Sequence, residues 1–406
     1  MELDATQAGF DPDRLERITT HLQTRYIDTG RIPGCQVLVA RDGIPAYFRS
    51  FGLRDRERGT PVEDDTIFRI YSMSKPITSV ALMTLYEKGL FQLNDPVSRV
   101  IPEWRDHRVW VSGEGDSMVT EAPKRPMTFR HVLSHSGGLT YGMGNDPVDR
   151  AYQSAGASLG LARDGETLSG FVQKLAHVPL RYQPGEAWLY SLSTDVCGYL
   201  VEALSGQPFD RYLQETIFDP LDMTDTSFVI APEKVERFAA NYQRTPAKTL
   251  DLVDDPMASR YASKPTFLSG GGGLTSTTAD YFRFCEMLRR GGELDGVRIL
   301  GSRTIDLMTR NHLPGGVDLT QMAIGSFSET ANEGVGFGLG FAMTLDSVSS
   351  GGLGEGDYYW GGAASTIFWV DPAEELVVIF MTQMMPSNTF NFRGQLKNII
   401  YSSIVD

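Results

Sequence analysis

Ser72 and Lys75 stand three residues apart in the run Ser72-Met73-Ser74-Lys75. On a helix that spacing puts both side chains on one face. A serine hydroxyl is a poor nucleophile until a neighbour takes its proton. A lysine held in an apolar wall can lose its charge or depress a neighbour's pKa. The helix start adds unpaired backbone N–H groups, which favour negative charge. The residues that follow, ITSVALMTLY, are strongly apolar, so Lys75 is expected beside a buried helix. A capping serine and a solvated lysine would produce the same spacing by chance, so partners elsewhere in the chain must decide.

Two further segments offer such partners. Tyr190-Ser191-Leu192 follows Pro184-Gly185-Glu186. A phenol beside an ammonium can ionise and serve as general base; the alternative is a core tyrosine with a satisfied hydroxyl. Trp360-Gly361-Gly362-Ala363 precedes STIFWVDP. Two glycines at a strand start let the backbone approach a ligand closely, and an N–H there could share an oxyanion with that of Ser72. A β-bulge beside a packed tryptophan is the other reading.

Other combinations carry less. Gly156-Ala157-Ser158-Leu159-Gly160 matches the Gly-x-Ser-x-Gly elbow, but that motif needs a buried strand before it. Here the polar DPVDRAYQSA precedes it, so Ser158 is not expected to be the nucleophile. His131 and His135 stand four apart without a carboxylate or thiol pattern around them, so no metal site is expected. Cys35, Cys197 and Cys285 are widely separated and signal neither zinc nor a disulfide framework.

The elements that must position these residues can be read from periodicity. Residues 11–29 have an amphipathic helical pattern, with Asp11 and Pro12 as cap and first residue. Residues 35–40 and 46–51 read as strands around an Asp42–Gly43 turn. A helix is expected over 72–88, stopped by Gly89. From residue 93 onward the pattern is short helices (127–134, 169–177, 194–204, 209–217) joined by Gly- and Pro-rich loops. Sheet character returns after Thr249. Four glycines at 270–273 precede an amphipathic helix, strand-like runs follow at 336–343, 365–370 and 376–381, and a last helix is expected over 392–404. The expected fold is α/β (α+β): an antiparallel sheet flanked by helices, built from residues 1–92 and 250–406, beside a mainly helical insertion over 93–249. The active site is expected between them.

The chain has 406 residues, 41% of them hydrophobic and 22% charged, which suits a globular protein with a sizeable core. A formal net charge of −14 argues against nucleic-acid binding. The start, MELDATQAGF, lacks a basic, then apolar leader, and no run is long enough to span a membrane. A cytoplasmic location follows as an expectation, with no membrane partner. The oligomeric state is not legible.

Taken in order, Ser-x-x-Lys, Tyr-x-x and a glycine-rich strand near the C-terminus resemble class C β-lactamases and DD-peptidases. Trp360-Gly361-Gly362 stands where those enzymes have Lys-Thr-Gly, a change similar to family VIII carboxylesterases. FRIYSMSKPITSVALMTLYEKGLFQLNDPVSRVIPEW, TFRHVLSHSGGLTYG, YQPGEAWLYSLSTDVCGYLVEALSG and SGGGGLTSTTADYFRFCEMLRRGG all look like that esterase group. The resemblance implies an acyl-enzyme on Ser72. Lys75 and Tyr190 would share the acid and base duties. The N–H groups of Ser72 and Ala363 would hold the oxyanion. Trp360, Gly361, Gly362 and Leu192 would line the substrate site, and no cofactor is implied. Leu192 replaces the asparagine of the β-lactamase Tyr-x-Asn pattern, which disfavours amides and β-lactams. Three readings stay open: a carboxylesterase on small or medium esters, an acyltransferase or weak β-lactamase/DD-peptidase on the same scaffold, and a non-catalytic binding protein.

Overall fold

The computed structural model describes residues 1–159, 165–324 and 331–405. Its centre is an eight-stranded antiparallel sheet. In chain order the strands are β1 (Gly34–Arg41), β2 (Ile44–Asp55), β3 (Thr60–Pro61), β4 (Val335–Phe337), β5 (Ala342–Thr344), β6 (Tyr358–Gly361), β7 (Ile367–Asp371) and β8 (Leu376–Thr382). In space the order is β4-β5-β6-β7-β8-β1-β2-β3. β1 is buried along all but its last residue, as a strand covered on both faces must be. Asp42 and Gly43 both take positive φ, 52° and 75°, the geometry of a tight hairpin turn. Pro61 lies on the edge strand, where its missing N–H costs no ladder bond.

Helices cover both faces. On one, α4 (Phe392–Tyr401) packs with the N-terminal helices, Phe380 and Phe392 rings lying 4.6 Å apart. On the other, α3 (Thr278–Arg289) sets Tyr281 5.1 Å from Phe368 of β7. α1 (Ser74–Glu87) is buried at every residue from Ser74 to Leu85 and packs on α2 (Ser193–Ser205). A helix apolar all round belongs inside, as ITSVALMTLY implied.

The expected α/β architecture therefore stands, with differences in detail. The helix at 11–29 begins at Pro12, capped by the Asp11 carboxylate, but breaks at Glu16 and ends in a wide turn over Gln23–Ile27. The single strand expected at 336–343 is a hairpin, β4 and β5. Gly340 turns it at φ 93°, where any Cβ would strike the Ser79 side chain of α1. Between residues 93 and 240 the described residues form mostly short helices and turns plus a small hairpin, Val109–Ser112 with Val119–Glu121. The expected 249/250 boundary falls inside another hairpin: Asn241–Arg244 pairs with Leu250–Asp254, and also runs parallel to Met384–Met385. We propose that the helical unit ends before Asn241, because that strand is bonded to the C-terminal part. Among the described residues no helix is long and apolar enough to cross a membrane.

Candidate active site

Ser72 enters from the short strand Phe68–Arg69, which pairs with Thr275–Ser276. Tyr71 takes a positive φ of 41°. For a bulky residue this conformation costs about 1–3 kcal/mol and persists only where surroundings enforce it. Here Asn241 Nδ2 donates to Tyr71 Oη at 3.1 Å. Ser72 then lies in a single tight turn, Tyr71–Met73, and the regular helix starts at Ser74. The regular helix thus starts two residues after Ser72, where the sequence reading had put its start. Lys75 occupies the first turn of α1, and helical side chains lean toward the N-terminus. Its Nζ donates to Ser72 Oγ at 3.0 Å and to the Gly271 carbonyl at 2.6 Å. Lys75 is 2% exposed and Ser72 9%.

The ammonium also lies 4.6 Å from the centre of the Tyr190 ring and 5.8 Å from that of Tyr141. Tyr190 is wrapped in rings: His135 at 5.1 Å, Tyr141 at 5.2 Å, Trp360 at 5.1 Å, and Trp188 stacked at 6.1 Å. Trp360 Nε1 donates to the Tyr190 phenol oxygen at 3.0 Å. A fixed donor on that oxygen stabilises negative charge there. His135 is buried, and burial followed by the nearby Lys75 charge pushes its pKa well below the usual histidine value. Its Nδ1 lies 3.1 Å from Ser191 Oγ. His131 instead accepts from the Thr128 N–H within a helix cap, so the two histidines serve separate ends.

Trp360 and Gly361 end β6, where a strand start was expected. The turn that follows bonds Gly362 N–H to Thr366 O at 2.8 Å and Ser365 N–H to Gly362 O at 2.9 Å. A Cβ on Gly362 would strike the Ile70 carbonyl; glycine is what lets this turn press against the approach to Ser72. Ala363 is partly exposed between buried Gly362 and Ala364. Trp360 itself is 0% exposed, with its N–H on Tyr190 and its carbonyl accepting from Arg393 Nη2 at 2.9 Å. It therefore backs the tyrosine and presents no open wall of its own. Leu192 is likewise buried, at 1%, just before α2.

Ser158 packs beside Gly142, next in sequence to Tyr141, but its setting is not that of a nucleophile elbow. A helix, Pro147–Ser154, precedes it where an elbow needs a strand, and Leu159 N–H bonds to Tyr141 O at 2.8 Å. Gly160 lies outside the described residues. The structure brings together Ser72, Lys75, Tyr190 and Trp360, and adds three groups the sequence reading missed: the Gly271 carbonyl, His135 and Tyr141. The last two sit in the segment HSGGLTY and the first in SGGGG; both segments were noticed, but neither shows which atom reaches the site.

The Beta-lactamase family profile matches residues 15–397. Protein Rv1367c of Mycobacterium tuberculosis (strain ATCC 25618 / H37Rv) is 32% identical over 368 residues, 88% of each chain. Esterase EstB of Burkholderia gladioli is 30% identical over 396 residues, 94% of this chain and 93% of its own. Among solved structures, EstCE1, described as a hydrolase with promiscuous acyltransferase activity, superposes with a TM-score of 0.81 at 28% identity. That match covers 96% of this chain and 99% of EstCE1.

Proposed function

This chain belongs to the β-lactamase family, and within it we propose a serine carboxylesterase of the family VIII kind that acylates Ser72. The observation that carries the reading is the buried Lys75 Nζ held 3.0 Å from Ser72 Oγ, beside a Tyr190 whose oxygen receives the Trp360 N–H.

The steps follow from those positions. Ser72 Oγ attacks the ester carbonyl and its proton passes to the Lys75–Tyr190 pair. The carbonyl oxygen gains negative charge, which the N–H groups of Ser72 and Ala363 receive. The C–O bond to the alcohol breaks, and the pair returns the proton to the departing alkoxide. Water then attacks the Ser72 ester, gives its proton to the same pair, and the acid leaves as Ser72 recovers its hydrogen. Esters are favoured over amides because an alkoxide leaves more readily and because Leu192 offers no hydrogen bond to an amide. A cytoplasmic location is part of this proposal.

Turnover of p-nitrophenyl esters of graded chain length, beside a chromogenic cephalosporin, tests it. Ester hydrolysis lost in Ser72→Ala, with fluorophosphonate labelling lost in parallel, is expected. An unlabelled wild-type protein that turns over no ester would return the chain to the class of binding proteins. The description of EstCE1 favours a second reading, acyl transfer to an alcohol. Adding a primary alcohol and measuring new ester against free acid separates the two outcomes.

A further inference from the structure

The four glycines at 270–273 reach the site through one atom, the Gly271 carbonyl oxygen that accepts from Lys75 Nζ. The peptide unit just before that carbonyl is held at both ends. Its C=O, from Gly270, accepts from Thr78 Oγ1 at 2.8 Å. Its N–H, from Gly271, donates to Asp195 Oδ1 at 3.1 Å. The same carboxylate oxygen accepts from Ser269 Oγ at 2.6 Å. Thr78 and Asp195 are 0% and 2% exposed. Thr78 belongs to α1, one turn beyond Lys75, and Asp195 to the first turn of α2, five residues after Tyr190.

The fit requires glycine at both positions. A Cβ on Gly270 would lie 2.6 Å from Thr194 O, and one on Gly271 would lie 2.9 Å from Asp195 Oδ2. With this peptide fixed between two packed helices, the next carbonyl starts from a fixed point, and from there it accepts from Lys75 Nζ. A lysine has four side-chain torsions, and a single strong acceptor selects the rotamer that reaches Ser72.

We infer that Asp195 is a positioning residue: through Gly271 it holds Lys75 Nζ against Ser72 Oγ, without touching substrate. The inference rests on the roles proposed for Ser72 and Lys75. A carboxylate that merely fastened a loop would lower stability and leave the chemistry of each folded molecule intact, so the test reads chemistry. It compares kcat and KM on p-nitrophenyl butyrate, and the rate of fluorophosphonate labelling, in wild type, Asp195→Ala, Asp195→Asn, Lys75→Ala and the double variant Asp195→Ala/Lys75→Ala.

Asp195→Ala is expected to lower kcat and labelling about 100-fold, the scale of a small misplacement of a reacting group, with KM within about twofold. Asp195→Asn should recover to within about tenfold, since both bonds use Oδ1 and an amide oxygen can keep them. On the Lys75→Ala background, Asp195→Ala should cost nothing more, because residues that act through one another are not additive. Wild-type kcat in Asp195→Ala, or an equal loss on both backgrounds, overturns the inference. Should Asp195→Ala fail to fold, Thr78→Val releases the other end of the peptide and Thr78→Ser restores it; wild-type kcat in Thr78→Val then overturns it. Intact kcat in Lys75→Ala overturns the reading of the site itself, which separates the two failures.

Discussion

Two buried lysines on different helices meet different partners. Lys397 of α4 donates to the Asp357 carboxylate at 2.5 Å, with Asp357 itself 0% exposed. Lys75 of α1 is bonded to a hydroxyl and a carbonyl and lies over an aromatic face. Burial lowers the Lys397 pKa, and Asp357 opposes that shift. An ion pair inside a protein keeps its charge and fixes geometry. A lysine bonded to a serine hydroxyl and lying over a phenol ring is placed beside groups that can exchange protons, as the role proposed for Lys75 demands. On the proposed function, similar burial thus serves different uses, and the partner decides which.

The same substitution at both sites tests that contrast. Lys75→Met should lower kcat on a p-nitrophenyl ester by about 10³-fold, as expected when a general base is removed, and Tyr190→Phe should do the same. A Tyr190→Phe enzyme with near-normal kcat would remove the tyrosine from the mechanism. Lys397→Met should instead destabilise the fold by about 3–5 kcal/mol, because it strands the Asp357 charge. Urea unfolding measures this, and activity per folded molecule should hold within about twofold. Activity lost without stability lost at Lys397 would erase the distinction between the two lysines.

Smaller effects refine it. Trp360→Phe keeps most of the packing but removes the donor from the Tyr190 oxygen. A kcat loss of about tenfold with KM unchanged is expected, near the net worth of one hydrogen bond. A raised KM with unchanged kcat would show instead that the ring meets substrate. Ser158→Ala should leave kcat within about twofold, the scatter of a substitution outside the site. Loss there equal to that in Ser72→Ala, with both folded, would overturn the assignment of the nucleophile.

Much of the frame was readable because it is local. The Ser72–Lys75 spacing, the Asp42–Gly43 turn and the Asp11–Pro12 cap each depend on neighbours a few residues away. What stayed hidden depends on distance along the chain. The Trp360 N–H reaches a tyrosine 170 positions earlier, and Lys75 meets a carbonyl 196 positions later. Periodicity reports which face of an element is apolar, not which atom on another element it will meet. Gly340 shows the same limit: its alternating neighbours look like one strand, and only the nearness of Ser79 explains the turn. Trp360 was legible as a large apolar residue near the site, but its use as a donor to Tyr190 was not.

The sheet order has a consequence for how the protein comes into being. β1 lies between β2 and β8, and Cys35 pairs with Thr382. The first strand of this sheet in chain order thus waits for the sheet's last before its centre exists. During synthesis on a ribosome the Ser72 helix emerges early, yet Gly271, Trp360 and β8 arrive long after it. Closing so long a loop is slow and leaves β1 with an open edge in the meantime, the kind of edge that recruits strands from other chains. A chain cut short before Thr382 would carry Ser72 and Lys75 but no platform to align them. Hydrolytic activity in a translation mixture should therefore appear only after synthesis has passed Thr382, which makes turnover a direct report of sheet closure.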